Sequence, residues 1–495
     1  MTEWSLFDLL PEEEAKRFKP IKSTDWKWSF KDYPEKKNGL KVFSCFACGG
    51  GSTMGYKLAG CDVIGCCEID PKMNEVYVKN HHPKHNFLMD IRAFNNIPNE
   101  ELPEELFNLD ILDGSPPCTT FSIAGDREES WGKKKKFREG QQEQTLDDLS
   151  FIFIDTVKKL NPKVVVMENV EGLILGEAFT YVQKIYKQFD EAGYKVHHWL
   201  LKGENMGIPQ KRHRVIFVAC RDELNILPSE MDMTFNYQII PFKEITDGKY
   251  DERKGKMHEV AAQNIPEDRD LAATSQRING KYQYFSHRYI DEDDAVPTLI
   301  AGHRDLWLRN GHGISRGDIV SAQTFPQDYD FGSDKYGDVE YMCGMSVPPV
   351  MMKRIVQRLI INGVFKMVIN GGIDREELED IWGKGYANAD HLQPNENGLE
   401  ALARYITKQQ KNRRKWARSR NLKKPKQRTS DTKVSNARVK RLAVDFPNSA
   451  KEIMEKLYPE YTHTKTIMRY SDVVDGAYIR CVMRRKPGGK HNDRR

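Results

Sequence analysis

At 495 residues the chain is long enough for about three units of ~150 residues, and 39% hydrophobic with 30% charged residues excludes a mainly disordered or fibrous protein. No apolar stretch approaches the ~18–20 residues of a membrane span, and the acidic opening MTEWSLFDLLPEEEAKRF lacks the order of a secretory signal, so a soluble cytoplasmic protein is expected. The net charge of +5 is uneven: Arg404 to Arg441 holds 16 Lys and Arg against one acid, Asp431, a local +15 that leaves −10 elsewhere.

Residues 1–39 are polar and carry Trp4, Trp26 and Trp28 without a long periodic pattern; they read as an N-terminal arm. From Leu40 the run LKVFSC, followed by the glycines of FACGG, reads as a buried strand entering a tight turn. DVIGCCEID at 62–70, LDILDGSPP at 109–117, KVVVMENV at 163–170 and VIFVAC at 215–220 read as further strands. Helical spacing lies between them, at 147–162 and at 179–194, where Phe179, Val182, Ile185, Tyr186 and Phe189 share one face. The alternation predicts an α/β core over 40–220, with a largely parallel sheet covered on both faces and its ligand beyond the carboxyl ends of the strands. Residues 221–295 are charged and weakly periodic, too long for a loop, and read as a smaller module. Residues 296–365 return to complete the core, and 366–495 form a basic, mostly helical extension.

The glycines of FACGGGSTMG let the backbone approach a ligand closely. The next strand ends in Glu68-Ile69-Asp70, about 20 residues on, where a Rossmann-type site holds ribose hydroxyls. Asp90-Ile91 suits an exocyclic amine of adenine, or is a solvated loop acid. No GKS or GKT follows the glycines, so a nucleoside cofactor without a critical phosphate contact fits better than a phosphate loop. Cys45 and Cys48 have C-x-x-C spacing but no second ligand pair, so no metal is expected. Nine scattered cysteines fit free thiols in a reducing compartment.

In GSPPCTTFS, Pro116 and Pro117 stiffen the backbone that presents Cys118 beside Ser115 and Thr119. A lone cysteine is usually a small buried hydrophobe, but a thiolate held in a polar turn can be a nucleophile. Added to carbon 6 of cytosine, it would make carbon 5 an enamine able to attack a methyl sulfonium. Glu168, at another strand end, would serve ring nitrogen 3 as an acid. Arg212 and Arg214 lie at i and i+2 on an entering strand and would supply cations on one face.

FACGGGSTMG, EID, DI, GSPPCTTFSIAG, ENV and QKRHR, then QTFP at 323–326 and GMSVPP at 344–349, occur in the order of the cytosine-5 DNA methyltransferases, which the chain closely resembles over about 40–365. The resemblance implies a Rossmann-like catalytic domain with 221–295 as target-recognition domain, and S-adenosyl-L-methionine as cofactor. It implies Cys118 as nucleophile, Glu168 at nitrogen 3, and Arg212 and Arg214 supporting the cysteine and bound phosphates. Phe46, Gly50, Glu68, Ile69, Asp90, Ile91, Pro116, Ser346 and Val347 would bind the cofactor. The implied substrate is a cytosine flipped out of double-stranded DNA, in a restriction-modification or phage self-protection role that leaves room for a cognate endonuclease. The chain departs from the family at Cys48, usually glycine, at Thr119, usually glutamine, and at Met345, usually asparagine.

Residues from Val368 to Lys408 resemble the distal half of rolling-circle replication initiators, with Tyr405 and Lys408 in YITK matching the tyrosine motif. No His-x-His occurs anywhere in the chain, so the metal pair of such nucleases is missing and a truncated, DNA-binding remnant is expected. The competing functions are a tRNA cytosine-5 methyltransferase on the same motifs, a replication-initiator nuclease, and a catalytically idle DNA-binding protein. Neither the recognition sequence nor the oligomeric state is legible.

Overall fold

The computed structural model describes residues 21–117, 148–175, 179–302 and 305–365, together with the backbone of 461–471 and 476–485. Its main unit is built on seven strands: β1 (Lys41–Cys45), β2 (Asp62–Glu68), β3 (His85–Leu88), β4 (Ile111–Gly114), β5 (Val164–Val170), β6 (Tyr194–Lys202) and β8 (His213–Arg221). They are ordered β3-β2-β1-β4-β5-β8-β6, and only β8 runs against the others. The connecting helices are α1 (Gly51–Leu58), α2 (Pro71–His81), α3 (Ile91–Asn96), α4 (Leu149–Leu160) and α5 (Phe179–Glu191).

Period-two alternation along each strand feeds two cores. Val42, Val164, Val166, Ile216 and Val218 pack on one face, with Met352, Ile355 and Leu359 of the returning helix. Phe43, Leu112, Val165, Met167 and Phe217 pack on the other, with Phe94, Phe153 and Phe189. The two strands that the sequence reading did not anticipate, β3 and β6, are the sheet's edges. Both are only partly buried, so neither shows the continuous apolar run of the central strands.

The arm also folds onto the main unit from residue 21. Trp28 is buried and its Nε1 donates to the Thr324 carbonyl at 2.8 Å. A two-residue strand, β7 (Gln210–Lys211), pairs with β11 (Val296–Pro297). A small four-stranded sheet, ordered β10-β12-β13-β9, joins β9 (Tyr250–Asp251) and β10 (Arg288–Tyr289) to β12 (Leu306–Trp307) and β13 (Gly313–Ile314). It therefore draws two strands from 221–295 and two from the return segment. Helices α6 (Leu271–Asn279), α7 (Arg316–Ala322), α8 (Tyr336–Met345) and α9 (Pro349–Ile361) complete the unit. At Gly55 of α1 an added Cβ would lie 2.5 Å from the Pro349 carbonyl oxygen, so only glycine admits α9 this close.

Of the C-terminal extension, the described part is a second unit of two long antiparallel strands, β14 (Tyr461–Ser471) and β15 (Gly476–Arg485). The expectation of a mostly helical extension is corrected for these residues: YTHTKTIMRYS is rich in Thr, Tyr and Ile, which favour extended backbone. Tyr405 and Lys408 lie outside the described residues.

Candidate active site

The strand order turns at β1: β2 and β3 lie to one side of it, β4 and β5 to the other. A crevice necessarily opens there, beyond the carboxyl ends of β1 and β4. It holds a cleft, open to solvent, whose lining includes Phe46, Cys48, Glu68, Ile69, Asp70, Asp90, Ile91, Ser115 and Pro117. Five expected cofactor residues thus meet in one place: Phe46, Glu68, Ile69, Asp90 and Ile91. Gly50, Pro116, Ser346 and Val347 are not among its lining residues.

After β1 the chain turns on two non-glycine left-handed residues, Phe46 (φ 55°) and Cys48 (φ 47°). Cys48 therefore occupies a conformation that costs an L-residue roughly 1–2 kcal/mol and costs glycine nothing, which accounts physically for the usual family residue. The buried Glu68 carboxylate holds the turn: Oε2 accepts from Cys48 N–H (2.7 Å), and Oε1 from Ile69 N–H (2.8 Å) and Asp70 N–H (2.9 Å). A carboxylate offers about four acceptor sites, so one remains for a ligand hydroxyl. Asp90 caps α3, accepting from Arg92 N–H at 2.7 Å, and pairs with the Arg92 guanidinium. Gly49 O accepts from Tyr329 Oη (2.5 Å) and His81 Nε2 (3.2 Å); burial pushes His81 down to about 3, so the ring is neutral.

The opposite wall is the turn after β4. Asn169, the second residue of ENV, donates to the Pro116 carbonyl at 3.3 Å and fixes the Pro116–Pro117 turn that leads into Cys118. Cys118 itself, Thr119 and the charged loop after them lie outside the described residues. Below the turn, Asp113 accepts from Ser44 Oγ (2.7 Å) and Tyr56 Oη (3.2 Å). Burial raises its carboxyl to about 7, its hydrogen bonds hold it back, and the charge of Glu168 adds to the rise. Nothing in the sequence marks Asp113 apart from its place at a strand end.

Glu168, at the end of β5, pairs with Arg214 of β8, whose Nε lies 2.6 Å from Oε1, and both side chains are largely buried. Arg212 lies near both of them, and the charges of Arg214 and Glu168 act on its buried guanidinium. It is 2% exposed, and its guanidinium is turned to the Gly344 carbonyl at 3.0 Å and toward Leu299 O at 3.5 Å, so the expected phosphate contact is not available to it. Arg212 sits between β7 and β8, where the chain changes strand partner.

Between the two arginines, His213 is clamped by two carboxylates, Glu171 at Nδ1 (3.2 Å) and Glu204 at Nε2 (3.0 Å). These hydrogen bonds, Glu171 first, hold it up to about 9 against the opposing effect of burial. Because the folded value lies above the unfolded one, the clamp's stabilisation is fully present below about pH 6.5, where both states hold the proton. It is lost as pH rises to about 9. His213→Gln should therefore flatten the fall in unfolding midpoint over that window; an unchanged pH profile would contradict the clamp.

The other motifs form the frame. Gln210 Nε2 donates to Gln323 Oε1 (2.8 Å), and Gln323 Nε2 to the Ser346 carbonyl (2.6 Å), linking QKRHR, QTFP and GMSVPP through the interior. Ser346 Oγ faces Cys48 Sγ at 3.8 Å. Met345, 37% exposed, lines the cleft, so its side chain offers the ligand an apolar thioether in place of an amide.

A parallel-sheet crevice with a glycine turn and ribose-acid geometry defines a nucleoside-cofactor enzyme. The chain belongs to the C-5 cytosine-specific DNA methylases, the match spanning residues 40–361. It is a DNA (cytosine-5-)-methyltransferase; its substrate is DNA and its methyl donor S-adenosyl-L-methionine. It is 26% identical over 349 residues to the Type II methyltransferase M.FnuDI of Fusobacterium nucleatum, covering 65% of this chain and 94% of that one. It is 29% identical over 352 residues to the Type II methyltransferase M.Sau96I of Staphylococcus aureus, covering 66% and 76%. A solved E. coli structure, described as a DNA modification methyltransferase encoded within a prophage, aligns at 18% identity and TM-score 0.48, covering 67% of this chain and 99% of that one. The family match stops at residue 361 and gives no support to the replication-initiator resemblance beyond it.

The cleft fits the methyl donor. Its described lining carries Glu68, Asp70 and Asp90 and no Lys or Arg, an environment that suits a sulfonium, an ammonium and ribose hydroxyls and would repel a phosphate. No helix among the described residues is long and apolar enough to cross a membrane.

Proposed function

We propose that Cys118, Glu168 and Arg214 form the reacting centre. The observation that carries this is the Glu168–Arg214 pair at 2.6 Å, set beside the Pro116–Pro117 turn that Asn169 holds one residue before Cys118. S-adenosyl-L-methionine, held by Glu68, Asp90 and the glycine turn, supplies an electrophilic methyl group on a sulfonium. The Cys118 thiolate adds to carbon 6 of the flipped cytosine, while the Glu168 carboxyl holds a proton at nitrogen 3 and takes up the charge that develops there. Carbon 5, now nucleophilic, takes the methyl group as the methyl–sulfonium bond breaks and leaves its electron pair on a neutral thioether. Loss of the carbon 5 proton to a base then lets the carbon 6–sulfur bond break, returning the thiolate. Arg214 keeps Glu168 oriented, and Arg212 positions the return segment through the Gly344 carbonyl.

The names of the relatives, both Type II methyltransferases, favour a restriction-modification role, with self-protection of a phage as the variant. The family match to DNA methylases places the tRNA alternative behind. Residues 221–295 are proposed as the core of the target-recognition module, extended by β12 and β13. Base-resolution cytosine methylation sequencing of DNA from cells expressing the chain, beside a Cys118→Ser control, tests the reading. A methylated motif present only with the unaltered chain is expected; the same motif with Cys118→Ser would overturn the role of the thiol.

A further inference from the structure

Two aromatic side chains are largely exposed on one loop of the small module: Phe285 is 76% exposed and Tyr282 64%, the Tyr282 hydroxyl reaching Arg269. Single exposed apolar residues are ordinary, but this pair sits on a loop that is tightly held. The loop leaves α6, which Asp270 caps, through Gly280 at φ 67° and enters β10. At its far end His287 donates its N–H to the Tyr284 carbonyl (3.0 Å) and accepts at its own carbonyl from Leu271 N–H (3.0 Å). Its Nδ1 accepts from Nε1 of the buried Trp307 (2.9 Å), over whose ring Arg253 lies at 4.2 Å.

Within this frame Tyr284 adopts φ 65°, rare for a bulky residue, and packs partly buried against the module's core while its neighbour Phe285 is left in solvent. Such strain persists only where the surroundings over-determine it. Exposed Lys281 and Arg288 flank the two rings, and neither side chain makes an ion pair among the described residues.

We infer that the 280–288 loop is an aromatic wedge that inserts into DNA: Phe285 and Tyr282 stack on bases of the duplex around the target, and Lys281 and Arg288 meet the adjoining phosphates. The inference rests on the DNA methyltransferase reading and specifies its substrate contact. Extruding a cytosine leaves a gap in the base stack, and a rigid aromatic ring fills such a gap without reading its sequence through hydrogen bonds. Two cations next to the rings in sequence, without an ion pair among the described residues, match a polyanion and would be buried at a cost against an apolar protein face.

The test uses the full chain and a fluorescently labelled duplex that contains the methylated motif. Phe285→Ala and Tyr282→Ala are each expected to weaken duplex binding roughly tenfold and raise KM for DNA more than they lower kcat. S-adenosyl-L-methionine affinity and the unfolding midpoint should stay at the unaltered values. Phe285→Trp should restore binding, whereas Phe285→Leu should not. Lys281→Gln with Arg288→Gln should lower the salt dependence of binding by about two ions. Unchanged duplex binding in Phe285→Ala overturns the inference, and so does a change confined to self-association in sedimentation, which would make the loop a protein contact. Duplex binding is read without turnover, so a chain that binds through the loop but does not methylate DNA would refute the catalytic reading alone.

Discussion

Glu168→Gln is expected to lower kcat for DNA methylation by roughly 10²–10⁴-fold, the range for loss of a positioned general acid. The amide preserves the volume at the end of β5 and still accepts a hydrogen bond from Arg214 Nε, now 2.6 Å from Oε1. What it cannot do is give a proton to ring nitrogen 3 as the thiolate adds to carbon 6, so the substituted ring must carry that charge unassisted. The stability cost should be small beside the ~3–5 kcal/mol of a buried charge left wholly unpaired, because the amide oxygen still faces the guanidinium. Affinity for S-adenosyl-L-methionine should hold, since Glu168 does not line the cleft. Removing the Glu168 charge should also let the Asp113 carboxyl titrate below about 7, because that charge contributes to its elevation. A kcat near the unaltered value, with normal folding, would remove Glu168 from the chemistry.

The fold was legible where burial left a mark on sequence. β1, β4 and β5 are covered on both faces, so LKVFSC, LDILDG and KVVVMENV read as strands directly. β3 and β6 escaped because edge strands are only partly buried, and the reversed direction of β8 leaves no local sign at all. The proposed site residues were chosen by chemistry and order, since Glu168, Pro116 and the glycine turn each lie at the end of a predicted strand. The supports were not legible. Gln210 and Gln323 meet across 113 positions, Asn169 acts through a backbone carbonyl, and the Glu171–His213–Glu204 clamp joins two short helical turns to the start of β8. Each is polar, individually unremarkable, and given meaning only by the tertiary fold. Equal spacing likewise suggested equal roles for Arg212 and Arg214, but Arg214 pairs with Glu168 while the Arg212 guanidinium is turned to the Gly344 carbonyl.

Gly51→Ala should separate the return segment from the cofactor turn. A Cβ there would lie 2.1 Å from the Val347 carbonyl oxygen and 3.0 Å from Ser346 Cβ. The first is backbone and cannot rotate aside, and Gln323 holds the neighbouring Ser346 carbonyl at 2.6 Å from the interior. Either the start of α1 or the GMSVPP segment must shift, at about 1–3 kcal/mol for such overpacking. Since α1 begins directly at the turn that Glu68 holds through Cys48, the shift enters the cleft, and S-adenosyl-L-methionine affinity should fall by about tenfold or more. Gly39→Ala supplies the contrast. Gly39 has φ 78° but nothing within 4 Å of its Cβ position, so alanine there brings backbone strain without a collision. It should cost stability of about 1 kcal/mol and leave cofactor affinity intact. Calorimetric titration of both variants with the methyl donor, beside their unfolding midpoints, distinguishes the two effects. Equal cofactor affinity in Gly51→Ala and Gly39→Ala would mean that the GMSVPP segment does not brace the cofactor turn, and that Ser346 and Val347 serve only the packing of α9.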